Sequence, residues 1–271
     1  MKFLISVTTY KKNAALIPFV QSILDTGMHE GNTLLICDDD NGGAREVFDQ
    51  FKDKLDLVYV TGKNQGIARN KNRGIRYFIE NKEFDRLILA DDDITLYAPG
   101  ILEDFEAARA AEGSDHINSY LPDSGYFKAF PVISMASSEL ICYCQGVQGI
   151  FGYYTRELIE KLGYYFPNWP YHYGFEHSEY SARALKLEGN CPELFPSLWN
   201  SDLYIKAQQI PNNYEVDLKK VFGKQSELYH TRLQKIYSGV ELSVRQHGLG
   251  QENYTRSHEE PTRSRARTTS P

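Results

Sequence analysis

The chain has 271 residues, 41% hydrophobic and 24% charged, which suits a soluble globular protein with one large α/β domain and an appendage. A net charge of -6 does not advertise nucleic-acid binding. No apolar run reaches the length of a membrane span, Lys2 to Val7 is too short for the core of an export signal, and the four cysteines lack metal spacing, so reduced thiols and a cytoplasmic protein are expected.

Phe3 to Val7 reads as a first strand and runs into Thr8-Thr9-Tyr10. Residues 13–24 follow with a helical apolar stripe of Leu16, Ile17, Val20, Ile23 and Leu24. Leu34 to Cys37 is a second strand, and Gly42-Gly43 turns the chain into a helix carrying Val47, Phe48 and Phe51. Leu57 to Val60 is a third strand, a helix spans about 67–81, and Leu87 to Ala90 is a fourth strand. This β-then-α alternation predicts a mostly parallel central sheet with helices on both faces, an α/β architecture.

Pro99-Gly100 opens another helix with Ile101, Leu102 and Phe105 on its stripe. Residues 113–128 read as a loop, and short strands are expected at 129–134 and 139–144. Thr155 is placed to cap a helix that Gly163 ends, and a further helix spans about 175–187. The expected organisation is a domain over 1–195, an extension over 196–254 that packs on the site, and a disordered tail over 255–271, which is rich in Arg, Ser, Thr and Pro.

Two aspartate triplets stand behind short apolar runs: Asp38-Asp39-Asp40 and Asp91-Asp92-Asp93. Ligands of open α/β sheets bind beyond the carboxyl ends of the strands, so both clusters should meet at one sheet edge. Close carboxylates repel unless a cation lies between them, and hard divalent ions take oxygen ligands. The plainer readings are a solvated Asx turn before Gly42 for the first triplet and a helix-capping turn before Pro99 for the second. Arg69, Arg73 and Arg76 share one helix face, where a surface basic stripe would account for Arg73 and Arg76 and leave Arg69 as the site candidate. Glu179 and Arg183 lie four apart and fit a helix salt bridge.

Together these segments resemble a family 2 type glycosyltransferase with the GT-A nucleotide-sugar-binding fold. Ile5 to Tyr10 is similar to the opening strand, Ile36 to Asp39 to the second strand, and Asn64-Gln65-Gly66-Ile67-Ala68-Arg69-Asn70 to the family's Asn-x-Gly and Ala-Arg-Asn segment. Asp91-Asp92-Asp93 is similar to the Asp-x-Asp metal motif, Gly149 to Gly163 to the segment ending in Leu-Gly, and Gly174 to Arg183 to the acidic helix start on the acceptor side. The likeness covers residues 2–187 in order.

The resemblance implies metal-dependent, inverting transfer from a nucleoside-diphosphate sugar to an acceptor hydroxyl, with Mn2+ or Mg2+ as cofactor. It implies donor binding by Thr9, Asp39, Asn64, Gly66, Arg69, Asp91 and Asp92. Asp39 would take a uracil N–H, which favours a UDP-sugar. Asp91 and Asp93 would hold the metal, with His230 as an added ligand candidate and His247 behind it. The family usually has Glu-Asp where this chain has Glu176-His177, so the catalytic base is expected at one of these two, with Glu176 favoured. The acceptor is left open among a glycan, a lipid-linked sugar, a protein, a metabolite and a modified nucleic-acid base. A sugar-phosphate nucleotidyltransferase is the alternative, disfavoured because Thr8 to Lys12 lacks glycine; a non-catalytic nucleotide-sugar-binding protein is another.

Overall fold

The computed structural model describes residues 1–122, 130–169, 174–208, 218–240, 242–244 and 254–257. In chain order the elements are β1 (Phe3–Thr9), α1 (Asn13–Asp25), β2 (Thr33–Asp38), α2 (Arg45–Phe51), β3 (Leu57–Thr61), α3 (Ile67–Glu80), β4 (Arg86–Asp91), β5 (Ile94–Leu96), α4 (Ile101–Glu112) and β6 (His116–Ser119). They continue with β7 (Val132–Met135), β8 (Ile141–Cys144), β9 (Phe151–Thr155), α5 (Arg156–Leu162), α6 (Glu176–Leu187), β10 (Phe195–Leu198), β11 (Ile205–Ala207), α7 (Leu218–Tyr237) and β12 (Tyr254–Arg256).

Among the described residues ten strands form one sheet in the order β12-β3-β2-β1-β4-β9-β6-β10-β8-β7, and β5 pairs with β11 in a small second sheet. The run β3-β2-β1-β4 is parallel, as the alternation predicts. Beyond β4 the sheet is mixed, because β9 runs antiparallel to both β4 and β6. Every residue of β1 and β2 is buried, as a parallel sheet covered on both faces requires. Ile5, Val7, Ile36 and Ile88 face α1, α2 and α4 through Leu16, Phe19, Val47, Phe48, Ile101 and Phe105. Leu4, Leu35, Val58 and Leu89 face α3, α5 and α6 through Ile75, Phe78, Leu158, Ile159, Tyr180 and Ala184.

Three expectations differ from the structure. The stretch read as a loop over 113–128 contains β6, whose buried polar side chains hid it: His116 Nδ1 is 3.1 Å from the Tyr153 carbonyl and its Nε2 is 2.7 Å from Ser181 Oγ on α6. The boundary drawn at 195 falls inside β10, which belongs to the main sheet between β6 and β8. Thr255 and Arg256, read as the start of a disordered tail, lie in β12 against β3; residues 258–271 fall outside the described residues.

Candidate active site

The carboxyl ends of β1, β2 and β4 meet at one edge of the sheet, and both aspartate triplets stand there. Asp38 is fully buried and builds its own loop, accepting from the backbone N–H of Asp40 at 2.7 Å, Gly42 at 3.1 Å and Ala44 at 3.0 Å and from the Tyr59 hydroxyl at 2.6 Å. Asp39 is turned toward α3. Its Oδ1 accepts from Arg73 at 2.8 Å, and its Oδ2 accepts from the backbone of Gln65 and Gly66 at 3.0 Å each. Gly66 has φ 88°, a conformation open to glycine, and Asn64 Oδ1 closes the same turn by accepting from its N–H at 3.2 Å. Burial pushes the Asp39 carboxyl up, and Arg73 opposes it.

The second triplet is met by two lysines. Lys71 is fully buried on α3, and its Nζ lies 2.6 Å from Asp91 Oδ1. Gly74 lets α3 come this close, since a Cβ there would sit 2.1 Å from Ser6 Oγ on β1. Lys12, just after β1, reaches Asp93 at 3.1 Å and Asp92 at 3.8 Å. Burial pushes Asp92 up to about 7, Lys12 opposes this, and the Asp93 and Asp91 charges add to it. Asp93 is raised by burial and then by the charge of Asp91. Burial disfavours the Lys12 charge, but Asp92 and Asp93 outweigh it and raise its pKa. Asp92 Oδ2 and Thr9 Oγ1 are buried together at the strand ends, and the Thr9 hydroxyl partly offsets the rise of the Asp92 carboxyl. Gln208, just past β11, secures the loop from behind: its N–H donates to the Asp93 carbonyl at 2.6 Å and its Nε2 to the Ile94 carbonyl at 2.8 Å.

Facing this loop is the start of α6. Gly174 and Phe175 both have positive φ, 106° and 63°, and this bend turns the chain so that Glu176 begins the helix. Burial lifts the Glu176 carboxyl to about 7; the nearby Asp91 charge adds to the rise and Lys71 opposes it. Glu176 Oε2 is buried without a partner, and Oε1 lies 3.5 Å from His177 Nε2. His177 Nδ1 is 3.2 Å from the Tyr165 hydroxyl, and the ring fills the space beside Gly149, where a Cβ would lie 2.1 Å from it. Burial, then the Lys71 charge, pushes His177 well below the ordinary imidazole range, so it is neutral.

Known structures share this arrangement of elements. The mannosyltransferase PcManGT from Pyrobaculum calidifontis, solved with GDP-Man and Mn2+, superposes with a TM-score of 0.64 at 13% identity, over 89% of this chain and 69% of that one. S. aureus TarS in complex with UDP-GlcNAc superposes with a TM-score of 0.59 at 13% identity, over 89% of this chain and 71% of that one. The chain has the GT-A glycosyltransferase fold. No protein-family profile matches it. In sequence it is 29% identical over 218 residues to an uncharacterized glycosyltransferase, R363, of Acanthamoeba polyphaga mimivirus, covering 78% of this chain and 82% of that one.

In this GT-A chain the structure gathers Thr9, Asp39, Gly66, Asp91, Asp92, Asp93, Glu176 and His177 around the strand ends. Asn64 is exposed at the rim. Arg69 points away, donating to the Pro167 carbonyl at 3.1 Å and to Asn168 Oδ1 at 3.3 Å. The cations that meet the carboxylates are Lys12, Lys71 and Arg73, and Arg73, expected on a surface stripe, is instead buried against Asp39. A signal existed for Lys71, which stands three residues before Gly74, on the helix face that a small residue presses to the sheet. His230 is exposed on α7 beside Tyr229, and no group of three or more His, Cys, Asp and Glu among the described residues could hold a metal. His247 lies outside the described residues. The oxygen donors of Asp91 and Asp93 nonetheless fit Mg2+ or Mn2+ of the kind that binds through one or two carboxylates and takes its remaining ligands from substrate phosphates and water. No helix among the described residues is long and apolar enough to cross a membrane.

Proposed function

We propose that this chain is an inverting glycosyltransferase that moves a sugar from a nucleoside-diphosphate sugar to an acceptor hydroxyl. The observation that carries the reading is the opposition of the Asp91–Asp93 loop, with its two lysines, to a buried carboxyl at the start of α6 whose pKa is lifted to about 7. A general base works best with a pKa near the operating pH, which suits Glu176 better than a neutral, deeply depressed His177. Glu176 takes the proton of the acceptor hydroxyl as its oxygen attacks the anomeric carbon. The bond from that carbon to the diphosphate breaks, and the nucleoside diphosphate departs with the electron pair.

Asp91 and Asp93 would hold a divalent cation, Mn2+ or Mg2+, which supplies Lewis-acid stabilisation to the leaving diphosphate. Lys71 and Lys12 add positive charge at the same edge. Asp39 keeps an acceptor position on Oδ1 beside the Arg73 bond, which can take a base N–H; a UDP-sugar is the donor favoured on that ground. The similar structures hold GDP-Man in one case and UDP-GlcNAc in another, so the donor screen should span both bases. Incubation with nucleotide sugars and Mn2+, followed by detection of the released nucleoside diphosphate, tests the function. Release that depends on the metal is expected. Absence of release with every donor would overturn it.

A further inference from the structure

The sheet register places an aromatic pair on the active edge. Leu89 of β4, Gly152 of β9, Asn118 of β6 and Ser197 of β10 lie in one row across four strands. Two residues further along the parallel strands stand Asp91, Tyr120 and Trp199. At a spacing of ~4.8 Å per strand, Tyr120 lies two strands from Asp91, roughly 10 Å, and Trp199 three, roughly 14 Å. Tyr120 and Trp199 stack on each other with ring centroids 5.4 Å apart and planes 16° apart. Strand alternation puts them on the face of Asn118 and Ser197. That face carries α6, whose Ser181 meets His116 of β6.

Both residues are anchored, and Trp199 keeps an exposed face. The Trp199 backbone N–H donates to the Leu140 carbonyl at 2.9 Å. The Tyr120 N–H donates to Ser201 Oγ at 3.2 Å, and that buried hydroxyl donates to the Leu198 carbonyl at 2.7 Å. Trp199 is nevertheless 38% exposed, and Leu203 beside it 58%. The segment from Trp199 runs through β11 to Gln208, which holds the Asp93 loop, so one stretch of chain joins the aromatic pair to the carboxylates.

We propose that the exposed face of Trp199, backed by the stacked Tyr120 ring, is an acceptor platform that stacks a sugar ring, so that the acceptor is a carbohydrate chain. The proposal deepens the glycosyltransferase reading and rests on it. Flat aromatic faces bury the apolar C–H face of a pyranose while leaving its hydroxyls wet. A nucleobase would stack equally well, but its phosphates would need cations. The 199–208 segment instead carries one acid, Asp202, and one base, Lys206, whose Nζ lies over Tyr97. A carbohydrate meets no such demand.

Titration of the full chain with neutral tetrasaccharides of glucose, N-acetylglucosamine, mannose and galactose, read by tryptophan emission and calorimetry, tests the platform. At least one should bind and shift the emission. Trp199→Ala should abolish the response, Tyr120→Ala should weaken the affinity about tenfold, and Trp199→Phe should keep binding by calorimetry. Circular dichroism confirms that each variant folds. Binding of none of the four, equal binding by Trp199→Ala, or a response to a uridine decanucleotide in their place would overturn the platform. Nucleoside diphosphate binding by the unmodified chain is measured alongside. If the nucleotide binds and the sugars do not, the platform alone falls; if no nucleotide binds, the functional reading falls first.

Discussion

Glu176 and His177 are neighbours whose burial acts in opposite directions on their usefulness. Burial makes Glu176 a stronger base and leaves His177 a weaker one, since desolvation disfavours the charged form of each. Glu176→Gln should therefore lose ~10²–10⁴-fold in turnover with donor affinity little changed. His177→Ala should lose less, because it removes a neighbour of the carboxylate and not the carboxylate. The sign of the pH effect follows from the base having to be ionised: with its pKa raised from 4.5 to about 7, kcat/KM should fall as pH drops through about 7. An acid limb near 4.5, or one that survives Glu176→Gln, would remove Glu176 from the role. Asp93 sits at a loop end and is no part of either hydrophobic cluster at the strands. Asp93→Ala should thus keep the fold and lose metal-dependent binding of nucleoside diphosphate, as calorimetry with and without EDTA would show. Equal affinity in the variant and the parent would move the metal elsewhere. At this scale the sequence disclosed the carboxylates and concealed their partners. Arg73 reads as part of a basic surface stripe and Lys71 is not singled out, because which way a helix faces is set by Gly74 against Ser6, a contact between elements distant in sequence.

At the α6–α7 junction, α7 braces the helix that begins with Glu176. Glu179 is fully buried and accepts from Arg183 at 2.9 Å and from Arg232 of α7 at 2.6 Å. Arg183 also donates to the carbonyls of Leu162 at 3.2 Å and Tyr164 at 2.8 Å, and Arg232 lies 3.7 Å over the Phe166 ring. This carboxylate stands one helical turn after Glu176, so it fixes the helix that presents the base. Removing one member of a buried ionic cluster leaves charge unpaired, which costs about 3–5 kcal/mol. Glu179→Ala should lower stability on that scale, read from the urea midpoint; a loss under ~1 kcal/mol would mean that the guanidiniums reach water in the variant. The spacing of Glu179 and Arg183 showed the first half of this cluster, since four residues is one helical turn, whereas Arg232 lies 53 residues away and has no local signature. The same contrast holds along the chain. Apart from β5, strands and helices as far as α4 were legible because each pairs an apolar period with a nearby turn. By contrast β5, β6, β9, β11 and β12 are short, and three of them are polar or mixed in character. Their partners lie far along the chain, as β12 with β3 shows.

The whole molecule closes its sheet with β12, which pairs Tyr254 with Val60 and Arg256 with Val58 and so covers the outer edge of β3. An uncovered strand edge invites pairing with another chain. Arg256 donates to Asp56 at 3.0 and 2.8 Å and to Glu83 at 3.1 Å, tying the strand across the start of β3 to the loop before β4. Arg256 and Asp56 are about a quarter exposed and Glu83 41%, so each pair is worth at most ~1 kcal/mol, and the ladder and the Tyr254–Tyr77 ring contact add to them. A second link runs inward. The Tyr254 hydroxyl donates to the Arg73 carbonyl at 3.2 Å, and the Arg73 guanidinium holds Asp39 in the proposed donor site. A chain ending at residue 253 should therefore show two separable effects. With roughly 2 kcal/mol lost, its melting temperature should fall by ~4–8 °C, since a domain of this size shifts ~2–4 °C per kcal/mol. The affinity for nucleoside diphosphate should also drop several-fold while turnover at saturating donor holds, because Arg73 and Asp39 lie on the donor side and Glu176 does not depend on them. Single substitutions divide the two: Arg256→Ala should give part of the melting shift with no affinity loss, and Tyr254→Phe the affinity loss alone. If Tyr254→Phe left donor affinity untouched while the truncation weakened it, the strand would act through general stability and not through Arg73.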